Sequence, residues 1–357
     1  MFESFEFETL TAPQASVFFA LIIGALFGVL AQITKFCFRR AIVGQDRRAA
    51  AGIWFTALAV AVVGTQGAVA AGWISFDAHR FMISDLPVLA IAIGGILFGA
   101  GMVLTRGCIS RLTVLTGTGN LRAAIVLIVF ALVAHMTLKG VLAPVRTTLG
   151  SVTVDLGDYV SLSALPGGVF LWTAVIALAA LALAIRSGNS PRMFILAVLI
   201  GALVPLAWVG TGFVLYDDFD PIAMESLSFT SPAADTLFWS IASTSISPGF
   251  GSGLLGGVIL GALASSLILG GFEWQSFTSP RQTGRYVLGA SFMGLGGVLA
   301  GGCTLGAGLS GVPTLSVAAI LAIVMIAVGA KATQALISQD ASSNVGPSTT
   351  PPPLQAV

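Results

Sequence analysis

A glycine-rich segment ending in Gly-Cys occurs twice in the chain, as GGILFGAGMVLTRGC (94–108) and GASFMGLGGVLAGGC (289–303). The copies align without a gap at an offset of 195 residues. Gly94/Gly289, Gly99/Gly294, Gly101/Gly296, Val103/Val298, Leu104/Leu299, Gly107/Gly302 and Cys108/Cys303 are identical. Each copy then runs into a break rich in Ser, Thr and Gly, SRLTVLTGTGN after the first and TLGAGLSG after the second. A pair of related, interrupted apolar segments is the pattern of a transporter assembled from structural repeats. Glycines at this spacing also let membrane helices pack closely. Packing alone does not account for two of only three cysteines standing at one repeat position.

The surrounding composition places the repeat in a membrane. Only 9% of the 357 residues are charged and 56% are hydrophobic, whereas a soluble domain carries about 25% charged residues. The apolar runs continue for about twenty residues, enough for a helix to cross a bilayer of roughly 30 Å. Barrel strands would alternate polar and apolar residues instead. The spans expected from these runs are 15–34, 49–71, 87–105, 121–142, 167–185, 193–213, 250–270, 286–300 and 313–336.

Connecting charges give the orientation, because basic residues gather on the inner side. Glu3, Glu6 and Glu8 precede the first span; Lys35, Arg39, Arg40, Arg47 and Arg48 follow it, against Asp46 alone. Basic and acidic connections alternate from there, with Asp217, Asp218, Asp220, Glu225 and Asp235 in a 214–249 connection that has no base. The N-terminus is therefore expected outside and the C-terminus inside. That makes the two Gly-Cys copies inverted, with their breaks meeting near the membrane midplane. The expected architecture is an all-α integral membrane protein of about nine transmembrane helices in one domain, 1–338. Its inverted halves cover about 15–142 and 193–336, joined by a linking helix at 167–185. The stretch 235–247 is expected to form a short helix in the outer connection, and the 339–357 tail, which lacks a core-forming pattern, is expected to be disordered.

The chemistry available in such a chain is narrow. All fifteen acids fall in connections or tails, so the sequence offers no buried carboxylate of the kind that couples protons or sodium. There is no phosphate loop, no metal-ligand spacing and no Ser/His/Asp set. An enzyme, a cofactor, a metal and a nucleic-acid partner are accordingly not expected. What remains are three free thiols, hydroxyls such as Thr105, Ser110, Thr304 and Ser310, helix ends and a few arginines. Cys37 sits in KFCFRRAI at an expected helix end. Its basic neighbours either anchor that end or draw an anion to the thiol. Arg106 and Arg111, which flank Cys108, allow the same two readings.

The stretches FCFRRAI (36–42), RGCISRLTVLTGTGNLRA (106–123), SFTSPR (276–281) and GGVLAGGCTLGAGLSG (296–311) resemble the YeeE/YedE family of bacterial inner-membrane proteins. The resemblance runs from about residue 20 to 335. It implies thiosulfate uptake through an hourglass-shaped path lined by three cysteines. Carried over by motif, those are Cys37 on the cytoplasmic side, with Cys108 and Cys303 at the centre. Arg106, Gly107, Gly302 and Thr304 are expected beside them. A thiol is a weak donor and weak acceptor, suited to contact a soft sulfur atom without trapping it. The implied partners are thiosulfate or a related anion, the lipid bilayer and a separate cytoplasmic sulfur carrier. The competing reading is a membrane-bound sulfur-transfer protein that passes persulfide sulfur through Cys37.

Overall fold

A computed structural model describes residues 11–343. Glu3, Glu6 and Glu8 lie outside the described residues, as does the tail beyond Ser343. Among the described residues nine helices are long and apolar enough to cross a membrane, at the positions the apolar runs indicate. The protein is an all-α membrane protein.

The first half comprises α1 (Ala12–Thr34), α2 (Phe38–Val43), α3 (Arg47–Ala70), α4 (Val88–Leu104), α5 (Ile109–Gly117) and α6 (Leu121–Lys139). A short α7 (Ala143–Gly150) and the linking α8 (Gly168–Ile185) follow. The second half comprises α9 (Pro191–Val209), α10 (Thr230–Ile241), α11 (Phe250–Ile268), α12 (Pro280–Leu299) and α13 (Val317–Ser343). A π-helical turn at Thr304–Gly311 stands between α12 and α13, where the first half has α5.

The two halves pack with reciprocal contacts. α1 lies on α11 while its counterpart α9 lies on α3, and α4 lies on α13 while its counterpart α12 lies on α6. At the centre α4 crosses α12, glycine against glycine. A Cβ placed on Gly94 would meet Gly296 O at 2.8 Å, and one on Gly296 would meet Gly94 O at 2.5 Å. Gly101 and Gly289 approach each other in the same reciprocal way. Gly94 is the repeat equivalent of Gly289, and Gly101 of Gly296, so the first position of one copy meets the eighth of the other. Only antiparallel copies related by a pseudo-two-fold axis give that pairing, the geometry of an isologous contact. The glycines are there because without side chains the backbones come close enough for dispersion to hold two apolar helices together in lipid.

Each copy breaks at the same place. α4 ends at Leu104, Arg106 turns left-handed (φ 60°), and Cys108 is extended before α5 begins. α12 ends at Leu299, Gly301 turns left-handed (φ 73°), and Cys303 is extended before the π-helical turn. Irregular backbone at such depth survives only where protein covers it. Every residue from Thr304 to Gly311 is buried.

Candidate functional site: three thiols beneath a cavity

Cys37, Cys108 and Cys303 are free and buried within one continuous apolar core. Their sequence positions explain why. Each occupies the extended residue just ahead of a helical turn: Cys37 before α2, Cys108 before α5, Cys303 before Thr304–Gly311. An N-cap side chain can accept from the first turn's free N–H groups, and of the three only Cys303 does so. The Gly306 N–H donates to Cys303 Sγ at 3.3 Å.

The sulfurs that touch are those of Cys37 and Cys108, 3.6 Å apart. Cys108 Sγ also lies 3.3 Å from Ser110 Oγ. Cys303 stands apart from that pair, beside Gly306 and the Phe229 N–H. Phe27 belongs to the same core, edge-on to Phe36 at 6.1 Å and tilted against Phe229 at 6.0 Å. The three weak polar groups share one buried core with these rings.

The neighbours singled out from the sequence divide into two kinds. Thr304 is fully buried and its Oγ1 has no hydrogen-bond partner. Gly107 and Gly302 form the backbone of the two breaks, and Gly107 O accepts from the Thr105 hydroxyl at 3.0 Å. Arg106, by contrast, is exposed in the left-handed corner of the first break. Arg111 reaches inward and donates to Ala31 O and Gln32 Oε1, both at 3.2 Å, which ties α5 to the end of α1. Arg40 pairs with Asp46 and caps the α1 carbonyls of Thr34 and Lys35. Arg40 and Arg111 thus hold helix ends together.

Left-handed backbone at a residue with a Cβ costs about 1 kcal/mol. Glycine at 106, as at the equivalent 301, is expected to relieve that strain and lose about half of the gain to chain entropy. Arg106→Gly should therefore raise the thermal midpoint slightly and leave anion uptake intact; a clear fall in uptake would return the guanidinium to the path.

A cavity of about 460 Å³ opens above Cys303, lined among others by His79, Arg80, Trp208, Glu225, Ser228 and Gly306. It is built from the 72–86 and 214–249 connections that the charge pattern places outside. Neither Arg80 nor Glu225 stood out in the sequence, where both read as loop charges. A signal was present, since the pentapeptide SFTSP occurs both at 228–232 and at 276–280. The first copy leads into α10, whose opening residues Thr230, Pro232, Ala233 and Ala234 are buried while its far end is exposed. The short helix of the outer connection therefore begins inside the protein, five residues before the expected 235–247.

Burial pushes His79 down to about 4, with Arg80 adding to the effect, so the imidazole is neutral at physiological pH. Its Nδ1 accepts from the Phe81 N–H at 3.3 Å and its ring stands edge-on to Trp208. Burial raises the Glu225 carboxyl above its usual range; Arg80 opposes the rise and Asp235 adds to it. Glu225 is half-buried in the cavity wall, so the connection does supply a carboxylate at depth. No cluster of His, Cys, Asp and Glu able to hold a metal is present among the described residues.

Residues 33–332 match the family model described as sulphur transport. The chain is 26% identical over 326 residues to the thiosulfate transporter TsuA of Escherichia coli (strain K12), covering 81% of this chain and 85% of that protein. It is likewise 26% identical over 342 residues to the thiosulfate transporter TsuA of Spirochaeta thermophila (strain ATCC 700085 / DSM 6578 / Z-1203), covering 87% and 95%. With a match across most of its length, and with glycine-cysteine breaks packed as inverted copies, the chain belongs to the YeeE/YedE sulphur-transport family.

Proposed function

We propose that the protein is an inner-membrane permease that imports thiosulfate, or a closely related sulfur-containing anion, past its three thiols. The observation that carries this reading is the placement of Cys303 below the outer cavity and of the Cys37–Cys108 pair in the same sealed core. Names of the two relatives, both thiosulfate transporters, agree with it. With the N-terminus outside and the C-terminus inside, the cavity faces the periplasm and Cys37 lies toward the cytoplasm.

A divalent anion loses much of its water on entering the core, which is costly unless polar groups replace it. Three thiols, the unpartnered Thr304 hydroxyl and the N–H groups at the breaks offer that replacement in steps. Several weak sites also avoid a deep well, since conduction requires binding that is favourable yet readily released. The burial of Cys37 at 6% exposure favours a path over a persulfide donor, which would have to present its sulfur to a soluble acceptor. Purified protein in sealed liposomes should accumulate labelled thiosulfate; absence of uptake there, with folded protein, would defeat the proposal.

Glu225 gives this uptake a pH dependence. An ionised carboxylate beside Arg80 competes with the incoming anion, and Asp235 adds to the repulsion. As pH falls through the raised Glu225 value the carboxyl becomes neutral, so apparent affinity for the anion is expected to rise on acidification. Glu225→Gln should hold affinity at the low-pH level throughout. An unchanged pH profile in that variant would remove Glu225 from the account.

A further inference from the structure

Cys37 and Cys108 stand 71 positions apart in the chain, yet their sulfurs are in contact at 3.6 Å. The contact is built from both sides. At the α1–α2 corner Lys35 turns left-handed (φ 52°) and the Phe36 N–H returns to Ala31 O, which swings Cys37 back toward α5. From α5, Arg111 donates to Ala31 O and Gln32 Oε1, and so holds that corner against the first break. The backbone interlocks as well: the Cys108 N–H faces Cys37 Sγ, and the Phe38 N–H faces Cys108 Sγ. Cys303 has no sulfur in contact among the described residues and accepts from the Gly306 N–H instead.

A relay of weak sites calls for thiols that an anion meets one after another. Two sulfurs in contact with each other are placed for a different reaction. A disulfide needs its sulfurs at about 2.05 Å, so closure from 3.6 Å asks for about 1.5 Å shared between two side chains. Both are extended residues whose side chains make no cap hydrogen bond. Rotation about χ1 therefore breaks no bond to either helix.

We propose that Cys37 and Cys108 form a redox switch: a hydroperoxide oxidises the pair to a disulfide, which joins the α1–α2 corner to the first break and shuts the path. The inference rests on the thiosulfate reading for its consequence, loss of uptake, and on the sulfur contact for its chemistry. In the first step Cys108 Sγ attacks one oxygen of hydrogen peroxide. An S–O bond forms, the O–O bond breaks, and the leaving hydroxide departs as water with the thiol proton, giving a sulfenic acid. In the second step Cys37 Sγ attacks that sulfenic sulfur. The S–S bond forms, the S–O bond breaks, and the oxygen leaves as a second water with the Cys37 proton. Two thiols are oxidised and one peroxide is reduced. Hydrogen peroxide is small and uncharged, which suits it to a buried pair. Pairing also decides reversibility: a sulfenic acid beside a thiol condenses with it, whereas an isolated one proceeds to sulfinic acid, which thiols do not reduce.

The test treats full-length protein in sealed liposomes with hydrogen peroxide. Labelled thiosulfate uptake is then measured, and an unreduced digest is read for linked peptides by mass spectrometry. Wild type should yield a Cys37–Cys108 linked peptide and lose uptake by more than about tenfold. Dithiothreitol should restore both free thiols and most of the uptake. Cys303→Ala should form the same linkage. Cys37→Ala should also lose its remaining uptake, but dithiothreitol should not restore it, and Cys108 should be found as the sulfinic acid. A pair still reduced at a peroxide dose that oxidises exposed methionine would overturn the switch. So would linkage of Cys108 to Cys303 instead, or untreated rates of uptake in linked protein. Linkage in protein that takes up no thiosulfate even when reduced would defeat the transport proposal and leave the disulfide chemistry standing.

Discussion

Alanine at Cys303 is expected to cut thiosulfate uptake about ten- to hundredfold while leaving the protein folded. Cys303 is fully buried beside the cavity that reaches Gly306. On the proposed path, a methyl group in its place gives the anion nothing to contact at that position. Losing a partner to a charged group costs about 1.5–3 kcal/mol, and at the barrier that appears directly in the rate. Cys108→Ala should do the same, since Cys108 is also fully buried and touches both Cys37 and Ser110. Cys37→Ala should cost less, because Cys37 sits at the edge of the core and its loss leaves Cys108 with the serine hydroxyl. Each substitution deletes one thiol-sized group from the core, a loss on the order of 1 kcal/mol, so detergent-solubilised variants should elute like wild type and melt only slightly lower. Full uptake in the Cys108→Ala, Cys303→Ala double variant would exclude the thiols from the path.

Leucine at Gly296 should have a different and more drastic result: no monodisperse protein. A Cβ there falls 2.5 Å from both Gly94 O and Phe98 N. Both are backbone atoms that cannot rotate away, so α4 and α12 must separate. Even alanine, the smallest addition, is expected to cost about 1–3 kcal/mol and to lower the thermal midpoint measurably. Helix association in lipid has little besides close packing to rely on, so parting the two copies also opens the breaks and displaces Cys108 and Cys303. Gly256 in α11 provides the control, since a Cβ there meets nothing within 4 Å. Gly256→Ala should be neutral or stabilising by up to about 1 kcal/mol. Equal melting of Gly296→Ala and Gly256→Ala would mean that the crossing does not hold the halves together.

What could be read from the chain and what could not follow a physical line. Spans such as 121–142 and 250–270 were legible because a bilayer demands about twenty apolar residues, and that demand is local. The inverted relation was legible too, since a gapless repeat and an alternation of connecting charges are both properties of the linear chain. The approach of Gly94 to Gly296 then follows from repeat plus inversion. Which sulfurs touch was not legible. Cys108 and Cys303 share a repeat position and were expected together at the centre, yet it is Cys37 whose sulfur meets Cys108, because the α1–α2 turn folds back over the first break. Arg106 beside Cys108 allowed both an anchor and an anion attractor; its left-handed backbone turns it to the surface, and only the matching Gly301 hinted at that. Glu225 and Arg80 were counted as loop charges because charge counting carries no depth. Their position depends on SFTSP entering the protein ahead of α10, a tertiary event that the second SFTSP, at 276–280, marks without explaining.

The most direct test of the thiol path is the rate at which Cys108 reacts with a small alkylating reagent in reconstituted protein, read by mass spectrometry with and without thiosulfate. Cys108 lies beyond Cys303 from the outer cavity and contacts Cys37, so an anion occupying the path must shield it. The account predicts that thiosulfate slows modification of both Cys303 and Cys108, whereas chloride at equal ionic strength does not. Modification of Cys108 at the same rate with thiosulfate as with chloride would contradict it.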